Sequence, residues 1–420
     1  MTAVTATNPR EDAYRRAAAT SAPSMVLGGA VLAVLGGIVF VVSALGSDPG
    51  RAWRIFHVNF LFFTGVAEAA LIFVAAHRLA DGWWGGPVVR LAEAATAFLP
   101  VSLILFLLLL LGRVQLFPWV THPEPLRGDW LTTWWAFPRD FLSLIALYLV
   151  TLSYVYYDLR PDVAPLKDRV TGWRRRLYSW IAGDYTGTPE QLKRVERRLN
   201  ILAGLVVVLY GYLFSIIAFD MVMSLAPYWY STIFGWYFFM GAFLTGLTAT
   251  GLMMVFWRNK LDLHAIIRRE QFHDMGKMVF GFTIFWTYLM FSQFLVQWYG
   301  NLRIETAYEF FRMAGPWRPV ALAVGLMVFL IPFWGLIWVR SKSTPATFAL
   351  FCAISCAGIW LERYLLVEPS ATDVPPHFGL PEIGITLGFL GLYLLCYGLF
   401  ARTFPMVSPR HAEQAARLHQ

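Results

Sequence analysis

Ionisable side chains interrupt several of the long apolar stretches in this 420-residue chain. Asp220 lies near the end of one such stretch and is followed by the aromatic sequence PYWYST at residues 227–232. A charged side chain in hydrocarbon costs roughly 3 kcal/mol or more, so it usually has a polar partner or lines a substrate or proton route. Burial and neighbouring charges can also bring a carboxyl group close to neutral titration. Proton transfer is therefore the first chemistry to consider.

The second apolar stretch places three polar residues on one helical face. His57, Thr64 and Glu68 follow steps of seven and four, which bring them to the same side of an α-helix. Glu68 follows His57 by eleven residues, so it lies about 16 Å deeper at a rise of about 1.5 Å per helical residue. No basic residue is near Glu68 in the sequence. The pattern therefore favours proton handling at Glu68 over a static ion pair.

Further polar candidates lie in the other apolar stretches. Arg139–Asp140 and Glu362–Arg363 offer opposite charges side by side, so ion pairs that fix helix contacts are an equally good explanation for them. The remaining candidates for a buried polar route are Glu93, Asp274, Lys277 and Gln293.

The composition is that of an integral membrane protein. Hydrophobic residues make up 58% of the chain and charged residues 14%, against about 25% charged in soluble domains. The net charge of +8 comes from basic residues between the apolar stretches. That distribution indicates membrane topology, so we expect membrane lipid and no nucleic acid as a partner.

Ten stretches are long enough to cross a bilayer core, which takes about 20 helical residues. In the tenth, Gly384 and Gly388 form a GxxxG pair, which indicates close helix packing. We predict an all-α integral membrane protein with transmembrane helices at about residues 24–45, 55–77, 88–112, 133–157, 199–225, 229–256, 277–299, 318–339, 345–366 and 381–401.

These helices form one membrane domain, residues 24–402, between tails at 1–23 and 403–420. Of the 34 Lys and Arg residues, 25 fall on the side of the two tails, and ten of them lie in the loop 158–198. Since positively charged loops stay in the cytoplasm, both termini are predicted to be cytoplasmic. The basic loop is expected to hold an interfacial helix, and docking of a partner is the alternative.

The sequence offers no ligand set for a redox centre. Haem ligation inside a bilayer takes paired histidines, and of the eight histidines only His57 falls in the interior of a predicted span. Cys352, Cys356 and Cys396 lie in apolar segments without the grouping that holds an iron–sulfur cluster. We therefore expect no metal or redox cofactor bound by this chain alone.

Two stretches resemble the signature regions of the NrfD, or polysulfide-reductase-type, membrane subunits. They are SIIAFDMVMSLAPYWYSTIFGWYFF (215–239) and FHDMGKMVFGFTIFWTYLMFSQFLVQWYGNLRIET (272–306). FHVNFLFFTG (56–65), the stretch 91–113 and WLERYLLVEPS (360–370) extend the similarity over nearly the whole chain except the tails. More narrowly, these stretches are similar to the ActF subunits of alternative complex III, a bacterial quinol:cytochrome c oxidoreductase.

The resemblance implies two four-helix bundles, helices 2–5 and 6–9, flanked by helices 1 and 10. It implies a multi-pass subunit of the bacterial inner membrane, with quinone or quinol as the candidate ligand. The implied partners are a multihaem cytochrome c subunit, an iron–sulfur subunit and a sister NrfD-type quinol-binding subunit, with the haem c and iron–sulfur clusters in the partners. The resemblance lends this chain Asp220, the HDMGK segment with Asp274 and Lys277, and Arg363 as polar positions.

Because the sister subunit is the better quinol oxidiser, a proton path or a quinone-adjacent pocket is the function that remains for this chain. Two other functions stay open. The chain is alternatively a purely structural membrane anchor for extramembrane redox subunits. A proton-coupled secondary transporter would also carry buried carboxylates, but it favours broken helices at matching positions of the two halves, which the sequence does not indicate.

Overall fold

The computed structural model of the protein describes residues 22–82, 84–123, 125–372, 374–408 and 410–411, without the side chains of 125 and 126. The predicted tails fall mostly outside these residues. Every regular element in the described part is helical, and ten helices are long and apolar enough to span a membrane, which confirms the predicted fold class. We name them α1 to α10: Pro23–Ala44, Pro49–Leu79, Gly86–Leu116, Thr133–Leu166, Pro189–Leu225, Phe234–Lys260, Arg269–Gly300, Gly315–Leu336, Pro345–Ala371 and Leu380–Thr403.

Helix starts follow the local sequence. Proline occupies the first position of α1, α2, α5 and α9, where a missing N–H leaves no helical hydrogen bond unmade. The Asp48 side chain caps α2 by accepting a hydrogen bond from the backbone N–H of Arg51 at 3.0 Å. Thr188 caps α5 in the same way.

Several helices extend beyond the predicted spans because hydropathy reports the bilayer crossing and not the end of the helix. α5 begins at Pro189, ten residues before its predicted start, and α4 continues to Leu166. The predicted loop 158–198 is therefore wrong in its bounds, since only 167–188 separates the two helices. The expected helix in it is present at Trp173–Ala182. His77 and His273 also lie inside helices, which corrects the prediction that His57 alone does so.

The contacts between helices form the two bundles that the family resemblance implied. In the first bundle, α2, α3, α4 and α5 each pack on the next and α5 returns to α2. The second bundle, α6 to α9, closes in the same way. α2 packs on α6 and α9, which joins the bundles, and α1 and α10 lie together against α2 and α3.

α2 is the central helix of the molecule, since its most apolar window is wholly buried while that of α1 is 11% buried. α1 reaches α10 through glycines: a Cβ atom on Gly36 would lie 2.2 Å from the Cα atom of Gly388. This contact confirms the close packing that the GxxxG pair predicted.

The two ends of the bundles differ in composition. We call one end the basic side; its loops are 80–85, 167–188, 261–268 and 337–344. The opposite end is the aromatic side, with loops 45–48, 117–132, 226–233, 301–314 and 372–379. That the basic side faces the cytoplasm remains a prediction.

Candidate functional site

A cluster of charged side chains lies near the aromatic side of the first bundle. Asp220 of α5 accepts hydrogen bonds from Arg139 Nε at 2.8 Å and Nη2 at 2.6 Å, and from Trp130 Nε1 at 2.8 Å. The Arg139 guanidinium also stacks on the Trp130 ring, with 3.8 Å between its central carbon and the ring centroid. Sequence adjacency suggested an Arg139–Asp140 pair; that pairing is wrong, because Arg139 reaches across to α5 instead.

Asp140 shares this cluster with Asp220. It is 1% exposed, and a proton on its carboxyl group would form a hydrogen bond to the Asp220 carboxylate. Asp220 is close enough to interact with it electrostatically. Two carboxyl groups therefore face a single guanidinium, and one arginine can neutralise only one of them.

His57 connects this cluster to α2. Its Nε2 atom donates a hydrogen bond to the carbonyl oxygen of Met221 at 2.8 Å, since a carbonyl can only accept. Its ring packs edge-on against Phe117, with centroids 5.7 Å apart. Nδ1 is then the acceptor nitrogen of a neutral ring, and it has no partner in the described part of the chain.

A second polar layer lies near the middle of the first bundle. Glu68 Oε1 accepts a hydrogen bond from the Thr151 hydroxyl at 2.5 Å, and Glu68 Oε2 has no partner among the described residues. The Tyr148 hydroxyl is 2.8 Å from the Ser102 hydroxyl and lies close to both Thr64 and Glu68. Helices α2, α3 and α4 each contribute to this layer, and Glu68 is completely buried.

The third layer closes the basic side of the first bundle. Arg90 donates hydrogen bonds to Glu93 at 2.6 Å, Asp158 at 3.0 Å and Asp162 at 2.7 Å. All four side chains are at most 2% exposed. Glu93 stands directly before a short 3₁₀ stretch, Ala94–Phe98, which changes the direction of the side chains along α3.

The chain beyond α10 returns to this layer. Arg410 donates to Asp158 at 2.5 Å and to Glu196 at 2.6 Å, and His411 Nε2 is 3.7 Å from Asp158. Although burial favours a neutral guanidine, the surrounding carboxylates hold the pKa of Arg410 above its ordinary value. Burial lowers the pKa of His411 to about 3, and the attraction of Asp158 opposes this only in part.

A cavity of about 180 Å³ opens beside this third layer. Its lining includes Tyr154, His77, Arg78, Glu196 and His411. At about 30 Å³ per molecule, it has room for several waters with polar partners on its walls. His411, which lies 3.7 Å from Asp158, also lines this cavity and so lies between the third layer and the cavity.

The three layers follow one face of α4. Asp140, Tyr148, Thr151, Asp158 and Asp162 all point into the first bundle. At the helical rise, Asp140 and Thr151 are about 16 Å apart and Thr151 and Asp158 about 10 Å. Protons can cross such gaps only through intervening water or hydroxyl groups.

The second bundle holds the remaining predicted residues and does not bring them together. Arg363 pairs with Glu362 at 2.7 Å, which confirms that ion pair, and donates to the Phe238 carbonyl oxygen at 2.8 Å. The partners of Arg363 thus lie in the second bundle and are not shared with His57, Asp140 or Asp220. Asp274 and Lys277 pair with each other at 2.6 Å on the partly exposed basic side.

Gln293 contacts a helix outside the bilayer. Its side-chain nitrogen donates to Glu309 at 3.2 Å, in the helix Arg303–Met313. Burial raises the pKa of Glu309, while Arg312 and Gln293 oppose that shift. This contact ties the loop helix to α7 at the aromatic side.

The sequence reasoning missed Arg90, Asp158, Asp162 and the residues that follow α10. Asp158 and Asp162 continue the seven- and four-residue steps from Thr151, so the signal was present. It was overlooked because α4 was ended at residue 157. Nothing in the sequence indicates that Arg410 folds back into the bundle.

Quinone is the ligand implied by the family resemblance, and the aromatic-side cluster offers it the Nδ1 atom of His57, which has no described partner. A quinone entering from the bilayer also needs an opening. His57, Asp140 and Asp220 are at most 1% exposed. The cluster as it is packed here therefore does not fit a quinone that arrives from the lipid.

Ten apolar helices in two bundles, with polar layers in the first, define a polytopic integral membrane subunit. The described residues include no group of three or more His, Cys, Asp or Glu side chains placed to hold a metal ion. Residues 25–375 match the family model described as Polysulphide reductase, NrfD, so the chain belongs to the NrfD family of membrane subunits of quinol-oxidising respiratory complexes. Its members work with extramembrane redox subunits. No curated protein sequence matches the chain significantly.

Proposed function

We propose that this chain is the proton-conducting membrane subunit, without a redox cofactor of its own, of an alternative complex III-type quinol:cytochrome c oxidoreductase. The observation that carries the proposal is the set of three buried polar layers in the first bundle. In hydrocarbon each such group loses hydration, and the cost is met only where the group serves a route or a partner. Membership of the NrfD family supports the respiratory setting.

The residues of this chain would hold and move protons at named atoms. Arg139 balances one negative charge, so a proton on either Asp140 or Asp220 makes the aromatic-side cluster neutral. Glu68 Oε2, which has no hydrogen-bond partner among the described residues, is the transfer atom in the middle. Glu93 and Asp158 pass the proton toward the polar cavity at the basic side, which His411 lines. Hydroxyl groups of Tyr148 and Ser102 shorten the route between the first two layers.

The proposed partners are a multihaem cytochrome c subunit, an iron–sulfur subunit and a sister NrfD-type subunit that oxidises quinol. Exposed aromatic side chains on the aromatic side support a covering subunit. Trp134 is 90% exposed and Tyr299 is 78% exposed. A membrane-interface belt uses the same residue types, so the partner assignment rests mainly on the family.

A purely structural anchor is the competing explanation. Such an anchor gains nothing from an ionisable group at mid-depth, because a glutamine at position 68 would accept the Thr151 hydrogen bond equally well. Glu68 instead has a second carboxyl oxygen without a described partner. That costly arrangement favours a group that binds and releases protons.

The decisive test is Glu68→Gln in the intact complex in vesicles. We expect normal assembly and a drop in the rate of proton translocation of at least about tenfold, since a positioned proton-transfer group contributes about 10²–10⁴-fold to a rate. Glu309→Gln, at a half-buried carboxyl beside the second bundle, is the control and should leave translocation unchanged. Wild-type translocation in Glu68→Gln would leave the anchor explanation standing. Purification without haem c and iron–sulfur absorption would remove the complex assignment instead.

A further inference from the structure

Three arginines converge on a concave site at the basic end of the second bundle. Arg258 lies in the last turn of α6, Arg269 begins α7, and Arg340 lies between α8 and α9. Together with Phe272, Ser343, Thr344 and Pro345 they line a cavity of about 400 Å³. None of the three arginines forms an ion pair with a carboxylate in the described part of the chain. The site therefore concentrates positive charge that no carboxylate among the described residues neutralises.

The wall of the cavity is rigid. Phe272 is completely buried and meets Phe348 of α9 edge-on, with ring centroids 5.7 Å apart. Arg258 Nε donates to the Ile267 carbonyl oxygen at 2.9 Å, and its guanidinium carbon is 5.6 Å from the Phe272 ring centroid. These contacts hold Arg258 in place and leave its two terminal nitrogens available as donors.

Neutral donors complete the site. Ser343 is 4% exposed, and its hydroxyl has no hydrogen-bond partner among the described residues. The 27-residue helix α9 begins next to it at Pro345, and backbone N–H groups in its first turn lack helical partners. A helix start adds positive potential to that of the arginines. An oxyanion in this cavity would meet charged, hydroxyl and backbone donors at once.

The surroundings of the cavity are apolar. Trp338 is 69% exposed and Trp334 is 61% exposed on the chain leading to Arg340, and Phe256 is 38% exposed beside Arg258. Indole rings at the end of a membrane helix lie at the bilayer interface. The arginines thus lie where the headgroups of a lipid would be, with hydrocarbon-facing surface directly below them.

We propose that this cavity binds the phosphate headgroup of an anionic phospholipid, with its acyl chains on the Trp334 and Trp338 surface. Basic pockets between transmembrane helices on the cytoplasmic side commonly take anionic headgroups. Arginine suits phosphate because its planar fork donates two parallel hydrogen bonds. A free phosphate would make no use of the apolar rim. An acidic segment of a partner protein would leave that rim in contact with lipid or water.

Native mass spectrometry of the full-length protein in a neutral detergent tests this proposal. The probes are dioleoyl phosphatidylglycerol, dioleoyl phosphatidylcholine and inorganic phosphate. We expect selective retention of phosphatidylglycerol. In Arg269→Gln/Arg340→Gln its affinity should fall about 25-fold, at about fivefold for each basic residue at an anionic surface. Arg176→Gln/Arg197→Gln removes the same charge from exposed residues outside the cavity and should bind like the wild type.

Each other result overturns the proposal. Equal weakening in both double variants would mean diffuse surface charge, and phosphate binding that matches lipid binding would mean a soluble-anion site. Unchanged lipid binding in Arg269→Gln/Arg340→Gln, with loss of a co-purifying protein, would mean a protein-docking site. If the double variant does not fold, Arg340→Gln alone decides, because Arg340 is exposed and its side chain has no described partner. That single variant should lose about fivefold in affinity.

Discussion

The two bundles share an architecture and differ in where they bury polar groups. The first has ionisable side chains near both ends and at Glu68 in the middle. In the second, Glu362 and Arg363 form a buried ion pair toward the aromatic side, and Lys342 is a single buried charge at the basic end. Among its buried hydroxyls, Thr245 bonds to the Gly241 carbonyl oxygen at 2.8 Å and Thr248 to the Thr245 carbonyl oxygen at 3.0 Å, while those of Thr283 and Ser355 have no described partner.

This difference fits a structural role for the second bundle and the proposed proton transport for the first. A hydroxyl that bonds within its own helix satisfies itself at little cost and can exchange no charge with a neighbouring helix. A carboxyl group shared between two helices costs more and can take up or release a proton. The polar residues of the second bundle therefore fit a structural role, and those of the first bundle fit the proposed proton route.

The largest expected effect comes from Arg90→Gln in the first bundle. Arg90 is completely buried among Glu93, Asp158 and Asp162, so its loss leaves uncompensated carboxylates. Removing one partner of a buried ion pair costs about 3–5 kcal/mol. We expect a loss of that size in the free energy of unfolding, measured as a lowered thermal midpoint in detergent.

Arg363→Gln is the matched change in the second bundle. It leaves a single carboxyl group, Glu362, which one proton neutralises, so the loss should be smaller. In the first bundle, adding Asp162→Asn to Arg90→Gln should recover part of the stability, because one fewer charge is left unpaired. Equal losses at the two arginines would contradict the view that the bundles hold charge differently.

The sequence predicted most of the fold, because ten long apolar stretches leave few alternatives in a bilayer. It predicted less of the site. Individual carboxyl residues such as Glu68 and Asp220 can be identified from the sequence because a charged side chain in an apolar stretch is costly to bury. Their partners cannot, because Thr151 and Arg139 are determined by packing between helices. Asp158 was missed because the helical face continues past the end of the apolar stretch, and Arg410 because a fold-back contact leaves no local pattern.

A moderate effect is expected at the seam between the bundles. A Cβ atom on Gly246 of α6 would lie 2.7 Å from the backbone carbonyl carbon of Ala69 on α2. Gly246→Ala should therefore push the bundles apart and cost about 1–3 kcal/mol in stability. Gly281→Ala on α7 meets no atom within 4 Å and should be neutral or slightly stabilising. Similar thermal midpoints for both variants would show that the seam is loose and that the bundles move independently.

The smallest expected effect concerns the basic end of the first bundle. There the segment with Arg410 and His411 folds back onto Asp158. His411 has an ordinary pKa of about 6.5 when exposed, and burial lowers its pKa to about 3 in the docked segment. Below pH 6.5 the undocked segment takes up a proton that the docked segment does not. The contribution of His411 to docking is therefore complete above about pH 6.5 and is lost progressively as the pH falls toward 3.

Thermal midpoints of the wild type and His411→Gln at pH 7.5 and pH 5.5 measure this contribution. Glutamine keeps a hydrogen-bonding side chain but does not titrate, so acidification should destabilise the wild type more than the variant. The expected difference is on the order of 1 kcal/mol, since one pH unit below the ordinary pKa corresponds to about 1.4 kcal/mol. Identical pH dependence in the two proteins would mean that His411 is hydrated. The closure of the first bundle would then depend on Arg410 alone, and its basic end would differ less from the open basic end of the second bundle.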